Sequence, residues 1–340
     1  MMRVCDDCFL APSWPANASG DPSSGECTFC GKVRRSWGPS AWSDHVVGLL
    51  DLYQESNNGV AVGERIQMDW QLFRTDDHDL VSAFLWEAVA ASSLNAPSLQ
   101  KVEPKSSDEE GLVGRWKELS QELKHRDRYF ARGAAQFQES ISALLTGHTA
   151  QLKQGQPLFR ARVHNQSSRF TPRDVEAPPL ALCSPGRANP AGIRYLYLAH
   201  TDSTAIHEVR PQRGASVAVA EFTVGRDLEV FSLVTTGPPD FFDDGGSKAL
   251  DVRSLMVALS EELQTPVLQT AGNADYVPTQ YLCSLVRAAG LDGVEYPSSL
   301  DSGGTNVVLF DPEVATIDGD IKYVHVNNVG VQWVSWQPQW

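Results

Sequence analysis

Apolar residues recur at spacings of three and four through the first half of the chain, between residues 40 and 150. This spacing gathers them on one side of an α-helix, so it predicts a largely helical segment. The polar, proline-bearing stretch at 94–111 predicts a loop within that segment. The predicted helices lie in AWSDHVVGLLDLYQES, DDHDLVSAFLWEAVAAS, GLVGRWKELSQELKHRDRYF and FQESISALLTGHTAQL.

From about residue 155 the apolar positions alternate with polar ones, and this period of two is typical of β-strands. Helical stretches interrupt the strands without a regular β-α alternation. The pattern therefore predicts a compact α+β domain with a mixed, mostly antiparallel sheet rather than a doubly wound parallel sheet. The predicted strands are PLFRARVH, IRYLYLA, ASVAVAEFTV, LEVFSL, GVEYP, TNVVLF and IKYVHV, and the predicted helices are STAIHEVR, SKALDVRSLMVALSEEL and PTQYLCSLVRAAG.

The change of period divides the chain into three predicted domains, at residues 1–38, 39–150 and 155–340. The chain has 340 residues and is 42% hydrophobic, which is enough for two or three domains with cores of their own. The first domain is defined by cysteine pairs, the second by helices and the third by the mixed sheet.

The charge balance narrows the range of functions. A formal net charge of −14 and a pI near 5.0 argue against a protein that coats nucleic acid or an anionic membrane, because both need a basic face. No apolar run approaches the roughly 18 residues that would span a bilayer, and MMRVCDDCFL lacks the apolar core of a secretory signal. We expect a cytoplasmic protein, and we do not expect a membrane or nucleic acid among its partners.

Two tight cysteine pairs near the N-terminus predict a structural zinc site. Each pair has C-x-x-C spacing, which places two thiolates on one side of a metal, and two such knuckles complete a tetrahedron. Two disulfides or reactive thiols are the alternative. Cys183 and Cys283 stand alone and are expected to be small core residues. The four predicted ligands are Cys5, Cys8, Cys27 and Cys30.

Arginine is concentrated between residues 157 and 213, which hold eight arginines, no lysine and four acids. A guanidinium group matches phosphate oxygens bidentately, so this composition favours a ligand that carries a diphosphate; arginines scattered over a solvated face are the alternative. Strand alternation puts Arg160 and Arg162 on one face of their strand. In the same way Tyr195 and Tyr197 share a face and offer rings for stacking a base or nicotinamide, or else lie in the core.

Glu208 follows this strand on a predicted helix, beyond its first turn. Its neighbours one turn back, Thr204 and Ala205, are small and leave the carboxylate room to project into a cleft. A fixed carboxylate can stabilise the positive charge that builds on ribose when the nicotinamide-ribose bond breaks. A solvated surface glutamate is the alternative.

The segments LFRARV, GRANPAGIRYLYLA, STAIHEVRP, GLDGVEYPSS and GTNVVLFDP resemble the RES domain, named for an arginine, a glutamate and a serine. The resemblance covers about residues 155–325, and the part before it is similar to the HEPN-like domain that precedes some members. It implies a fold related to ADP-ribosyltransferases. In toxin-antitoxin members it implies an NAD-consuming toxin held inactive by an antitoxin with an Xre-type DNA-binding domain.

The resemblance also implies site residues, carried over by motif position. Arg160 would be the first-strand arginine, Tyr197 the tyrosine of the LYLA strand, Glu208 the glutamate, and Ser298 or Ser299 the serine. The two serines follow a proline, so a simple turn is the alternative for them.

Further residues are expected to bind NAD beside this set. Arg187 and Asn189 belong to the GRANP segment, and Tyr195 and Arg162 belong to the two strands. Arg162 competes with Arg160 for the role of first-strand arginine. Ala188 departs from the family pattern, since shorter toxins usually carry an aromatic residue at that position.

Taken together, these features predict an enzyme that breaks the nicotinamide-ribose bond of NAD+, with NAD+ as substrate and zinc as a structural cofactor. Water as acceptor would make it a glycohydrolase, phosphate a phosphorylase, and a macromolecule or metabolite an ADP-ribosyltransferase. Loss of NAD would arrest a cell, which suits a toxin or antiphage effector controlled by an antitoxin or regulatory protein. A non-catalytic scaffold, or a nucleic-acid-binding module that uses Lys32, Arg34 and Arg35, is the alternative, and the oligomeric state stays open, a homo-oligomer included.

Overall fold

A computed structural model describes residues 2–11, 13–94, 99–105, 111–164, 168–234, 241–242, 246–265 and 273–329. The helices are α1 Ser13–Ala16, α2 Ser43–Leu50, α3 Val62–Trp70, α4 His78–Ala91, α5 Leu112–His125, α6 Ala134–Gly147, α7 Pro172–Val175, α8 Asp202–Glu208, α9 Ser247–Gln264 and α10 Val277–Ala288. The strands are β1 Val4–Cys5, β2 Ser23–Glu26, β3 Val33–Trp37, β4 Tyr53–Ala61, β5 Lys101–Pro104, β6 Thr149–Leu152, β7 Pro157–Val163, β8 Leu196–Ala199, β9 Ser216–Val224, β10 Leu228–Ser232, β11 Gly293–Pro297, β12 Thr305–Leu309, β13 Ala315–Ile317 and β14 Lys322–His325.

The chain forms two compact units. The first consists of Met1–Trp116 with Thr235–Met256, and the second consists of Lys117–Val234 with Val257–Trp340. A late stretch of the chain, Thr235–Met256, thus groups with the N-terminal residues. The three predicted domains stay a prediction. Within the described ranges, no helix combines the length and apolar character needed to cross a membrane.

The first unit carries a small antiparallel sheet in the order β1-β3-β2 and a two-stranded antiparallel sheet of β4 and β5. Its core is rich in tryptophan, and Trp14, Trp42 and Trp70 are fully buried. The late segment completes this core. The Phe241 ring centroid lies 5.8 Å from that of Trp14 and 5.7 Å from that of Trp70, and Phe242 lies 5.4 Å from Trp14.

The four helices predicted between residues 40 and 150 correspond to α2, α4, α5 and α6. Three elements of that region were not predicted. Helix α3 carries Val62, Ile66 and Trp70 one turn apart, a spacing that signals a helix. Strands β4 and β5 have no clear apolar alternation, and β4 is largely exposed, so backbone pairing rather than burial defines them.

The second unit is built on a nine-stranded sheet with the order β13-β9-β7-β8-β12-β11-β10-β6, and β14 pairs with β9. Among the described strands of this sheet, β10 and β11 pair in parallel and the other pairs are antiparallel. The predicted α+β class with a mixed, mostly antiparallel sheet is therefore confirmed. All seven predicted strands and all three predicted helices of this region form, while β6 and β13 were not predicted.

The sheet opens between β7 and β8. Strand β7 pairs with β9 along its whole length, but it pairs with β8 only at Phe159 and Ala199. Helix α8 starts directly after β8, where the Thr201 hydroxyl accepts a hydrogen bond from the Thr204 backbone N at 3.0 Å. Its Ala205 packs in a small cluster with Ala161 and Ala199. These contacts place the C-terminal end of α8, and with it Glu208, beside the opening.

Candidate functional site

A cavity of ≈ 270 Å³ lies at the opening between β7 and β8. The two strands, helix α8 and the neighbouring strands β11 and β12 contribute its wall, so the divergence of the sheet creates the space. The wall combines a cation, a carboxylate, an amide and three aromatic rings. The lining residues are Phe159, Arg160, Ala161, Tyr197, Leu198, Ala199, Ala205, Glu208, Val209, Tyr296 and Asn306.

Glu208 is held in place on one of its two carboxylate oxygens. Its Oε1 accepts hydrogen bonds from Ser298 Oγ and from Asn306 Nδ2, each at 2.7 Å. The Ser298 hydroxyl is itself oriented, because its oxygen accepts from the backbone N of Leu300 at 3.1 Å and of Asp301 at 3.2 Å. Oε2 has no hydrogen-bond partner among the described residues. The carboxylate therefore has a fixed orientation with one oxygen available to a ligand.

Arg160 supplies the positive charge of the cavity. Its Nη1 donates to the backbone oxygen of Tyr197 at 3.2 Å, and within the described ranges no carboxylate pairs with it. Burial, and to a smaller extent the charge of Arg162, lowers the pKa of Arg160 to about 10, so the guanidinium stays protonated at neutral pH. A half-buried cation without a carboxylate partner suits an anionic ligand, since it is costly to leave unpaired.

Arg162 lies outside the cavity. Its side chain is exposed, and its Nη1 donates to the backbone oxygen of Asp174. Although both arginines lie on one strand at alternate positions, the structure places only Arg160 in the lining described here. The difference arises because β8 leaves β7 beside Arg160, while the Arg162 side chain is engaged by the backbone of Asp174 in α7.

Tyr197 is oriented by the GRANP segment. Its hydroxyl donates to Asn189 Oδ1 at 2.6 Å and accepts from the Ala188 backbone N at 3.1 Å, and burial raises the pKa of Tyr197. Asn189 is 3% exposed, and its Nδ2 donates to the backbone oxygens of Ser184 and Ile193. Asn189 therefore positions Tyr197 and does not itself line the cavity.

Replacing Gly186 by alanine is expected to disturb this contact. A Cβ at that position would lie 2.6 Å from both Asn189 Oδ1 and the Tyr197 hydroxyl. Both groups would therefore have to move away from the added methyl group. We expect Gly186→Ala to lower the free energy of unfolding by about 1–3 kcal/mol, as overpacking does. Urea unfolding followed by circular dichroism measures it. The control is Gly114→Ala, where the added methyl meets nothing within 4 Å and should cause no loss; equal stability of the two variants would contradict the prediction.

Two other predicted residues meet the end of helix α9. Arg187 Nη1 donates to the backbone oxygens of Leu263 and, at 2.9 Å, of Gln264. Ser299 Oγ donates to the same Gln264 oxygen at 3.1 Å. A cation at a helix C-terminus compensates the negative end of the helix dipole. Both side chains therefore have structural contacts, and of the two candidate serines it is Ser298 that binds Glu208.

Tyr195 also lies away from the cavity lining. Its ring packs against Phe310 with a centroid distance of 4.9 Å, and the residue is buried. Tyr195 precedes β8, which begins at Leu196, and of the two tyrosines only Tyr197 lines the cavity described here.

Asn306 and Tyr296 are cavity residues that sequence reasoning missed. Asn306 is 5% exposed within the apolar strand TNVVLF, and this isolated amide is the signal that could have found it. A buried amide needs a partner, and here that partner is Glu208. Burial raises the pKa of Tyr296; the nearby Arg187 lowers it and Glu208 raises it, so both charges act on this ring.

A second polar cluster joins β10 and β11 to His200, the residue that follows β8. Glu295 is 7% exposed; its Oε2 lies 3.1 Å from His200 Nε2, and its Oε1 accepts from Ser232 Oγ at 2.6 Å. Burial raises the pKa of Glu295, but the hydrogen bonds from His200 and Ser232 outweigh burial, and the net pKa is lowered.

We expect this lowered pKa to make stability depend on pH. The ionised form is favoured in the folded chain, so the contribution is complete above the ordinary glutamate pKa of about 4.3. It is lost as the pH falls through the lower, folded value. Urea unfolding of the wild type and of Glu295→Gln between pH 7 and pH 3 measures the effect. The two proteins should converge in stability at the acid end, and a difference that is constant with pH would contradict the expectation.

The four N-terminal cysteines form a cluster suited to a metal ion. Their sulfurs lie within 4.8 Å of one another, with separations of 3.5 Å for Cys5–Cys8, 3.8 Å for Cys5–Cys30 and 3.7 Å for Cys8–Cys27. A tetrahedral ion with bonds of about 2.3 Å to sulfur needs sulfurs about 3.8 Å apart. A disulfide needs about 2.05 Å, and all four thiols are free. The geometry therefore favours metal binding over disulfides.

The lone cysteines differ in their surroundings. Cys283 is fully buried, and burial raises its pKa to about 12, so it is an inert core residue. Cys183 is half-buried, and its Sγ donates to the backbone oxygen of Ile193 at 3.0 Å.

Comparison with known proteins gives a family for the C-terminal half of the chain. The family model of the RES domain matches residues 157–326. A chain in the crystal structure of the M. tuberculosis MbcT-MbcA toxin-antitoxin complex is similar at 15% identity and a TM-score of 0.31, covering 55% of this chain and 91% of that one. No curated protein matches. The matched segment contains β7, the GRANP loop, α8 and the Ser298 turn. The chain belongs to the RES domain family.

Proposed function

We propose that this chain cleaves the nicotinamide-ribose bond of NAD+. The observation that carries the proposal is a carboxylate held by two hydrogen bonds in the same cavity as a guanidinium that has no carboxylate partner among the described residues. Membership of the RES family supports it, because the family includes NAD-consuming toxins. Glu208 and Arg160 offer the two charges that an NAD+ molecule needs at its ribose and its diphosphate.

In the proposed complex, Arg160 binds the diphosphate, and the free Oε2 of Glu208 accepts from the hydroxyls of the nicotinamide ribose. The rings of Phe159, Tyr197 and Tyr296 supply apolar surface for nicotinamide. The cavity holds part of the dinucleotide, since ≈ 270 Å³ is less than the roughly 300–1,000 Å³ of ordinary ligand pockets.

Bond cleavage needs no redox partner. The electron pair of the C1′–N bond leaves with nicotinamide, which becomes neutral, and the ribose carbon gains oxocarbenium character. Glu208 stabilises that charge, because Ser298 and Asn306 hold its carboxylate in place before the reaction and little reorganisation is required. Water or phosphate then adds to C1′ and loses a proton. An acceptor on a macromolecule or metabolite would instead give ADP-ribosylation.

Incubation with NAD+ tests the proposal. The purified chain is mixed with NAD+ alone, with phosphate and with cell lysate, and the products are identified by mass spectrometry. Free nicotinamide should appear, and its partner product, ADP-ribose, ADP-ribose 1″-phosphate or a modified acceptor, names the reaction. NAD+ that remains intact in every mixture would rule the proposal out.

The proposed activity also fits a toxin. Loss of NAD+ would stop growth, so we infer that a partner protein, an antitoxin or other regulator, restrains the chain in its host. We further infer that the cysteine cluster binds Zn²⁺, because four thiolates and a tetrahedral spacing suit this ion. With no open coordination position, bound zinc would stabilise the N-terminal sheet and take no part in the cleavage.

A further inference from the structure

Two aromatic side chains project from the turn between α5 and α6. Tyr129 is 88% exposed and Phe130 is 85% exposed. Apolar exposure in this turn stops at these rings, because Leu123 and Ala131 on either side are buried. Tyr and Phe are the residues that usually supply core area, so two adjacent rings in water suggest a surface for a ligand.

The turn that carries the rings has a fixed backbone. Asp127 Oδ1 accepts hydrogen bonds from the backbone N of Tyr129 and of Phe130, each at 2.9 Å. Glu122 accepts from the backbone N of Arg132 at 3.0 Å and of Gly133 at 3.5 Å. The rings are therefore presented by an ordered turn, and a ligand that binds them has little backbone entropy to overcome.

Three arginines flank the rings along the chain. Arg126, Arg128 and Arg132 are exposed, and no ion pair involves them in the part of the chain that the structure describes. The two acids closest to the turn along the sequence, Asp127 and Glu122, accept hydrogen bonds from backbone N–H groups, and Asp275 pairs with Lys124 at 3.4 Å. Residues 126–132 carry a formal charge of +2 in a chain of −14.

We propose that the Tyr129–Phe130 turn binds single-stranded nucleic acid. The guanidinium groups bind phosphates, and unpaired bases stack on the two rings. A duplex keeps its bases stacked and would offer only phosphates. A stable protein partner needs about 800 Å² on each side, whereas the apolar surface here is confined to two rings.

The acidic character of the whole chain does not exclude this binding. At 0.1 M salt the Debye length is about 10 Å, so acids far from the turn are largely screened and the local cations act at contact range. We expect the turn to bind a short segment of a strand, with an affinity that falls as salt is added. It is independent of the proposed NAD+ chemistry, because none of its residues lines the cavity described above.

Fluorescence anisotropy with labelled 12-nucleotide RNA and DNA tests the proposal on the full chain at 50 and 200 mM salt. Single strands should bind more tightly than a duplex of the same sequence, with a slope of log K against log salt near −2 if three phosphates are contacted. Tyr129→Ala with Phe130→Ala should weaken binding about 10-fold or more and keep the slope. The slope of log K against log salt should become flatter in a triple variant that combines Arg126→Ala, Arg128→Ala and Arg132→Ala.

Arg213→Ala removes an exposed arginine elsewhere in the second unit and serves as the matched control, which should bind like the wild type. Circular dichroism confirms that each variant is folded. Absence of single-strand binding at 50 mM salt overturns the proposal, as does binding that the ring variant leaves unchanged. Self-association lost in the ring variant, without oligonucleotide binding, would assign the turn to a protein contact and overturn it as well.

Discussion

Glu208→Gln should reduce release of nicotinamide from NAD+ by about 100- to 1,000-fold, the usual effect of removing one preorganised electrostatic group. The amide keeps an oxygen that can accept from Ser298 and Asn306, so its packing is preserved while its charge is lost. The positive charge that builds on ribose would then have no fixed counter-charge. Nicotinamide release measured by mass spectrometry gives the rate, and growth of cells that express each protein gives the consequence for toxicity.

Asp202→Asn is the matched control for that substitution. Asp202 lies on the same helix and is exposed at its N-terminal end, away from the cavity lining. The Asp202→Asn substitution removes one negative charge from the same helix. A loss of activity caused by the change in net charge alone would therefore affect both variants equally. Full activity in Glu208→Gln, with the fold intact, would contradict the proposed role of Glu208.

Removal of the proposed zinc ion should destabilise the first unit. Structural zinc contributes about 10–16 kcal/mol of apparent binding free energy in small zinc domains, and that energy is coupled to folding. Here the sheet β1-β3-β2 has short strands, and Cys5, Cys8 and Cys27 are buried among the tryptophan-rich core. We expect one zinc per chain by elemental analysis. We also expect a chelator to lower the thermal unfolding temperature. It should expose the tryptophan-rich core to solvent, and tryptophan fluorescence measures that exposure.

Cys8→Ser gives the same test without a chelator, since it removes one ligand and leaves a similar volume. Its control is Cys283→Ser in the second unit. Among the described residues, Cys283 does not belong to the cysteine cluster that could hold a metal ion. The first substitution should abolish metal binding and the second should retain it. Equal metal content in Cys8→Ser and the wild type would show that this cluster is not the metal site.

The secondary structure of the second unit followed from local patterns. Alternation of apolar and polar residues marks a strand that is buried on one face, and seven strands were found in this way. Strand β4 was not predicted, because it is polar and mostly exposed and its pairing with β5 leaves no apolar pattern in the sequence. The cysteine cluster could be predicted because a knuckle is a local structure whose spacing already sets the geometry of the thiolates.

Tertiary structure decides which of several equivalent residues reach the candidate site. Arg160 and Arg162 are equivalent by alternation, and only the departure of β8 from β7 decides that Arg160 faces the cavity. In the same way, Ser298 and Ser299 are neighbours, but the path of the turn brings Ser298 to Glu208.

The sequence by itself determined the α+β class, the elements of the RES domain, the cysteine cluster and the segments that hold the candidate site, because each rests on a short-range period or motif. Tertiary structure decided that residues near 241 complete the aromatic core of the first unit, and that Asn306 meets Glu208. These contacts join residues about 100 or more positions apart. No local pattern encodes such partners, since they are chosen by the packing of the whole chain.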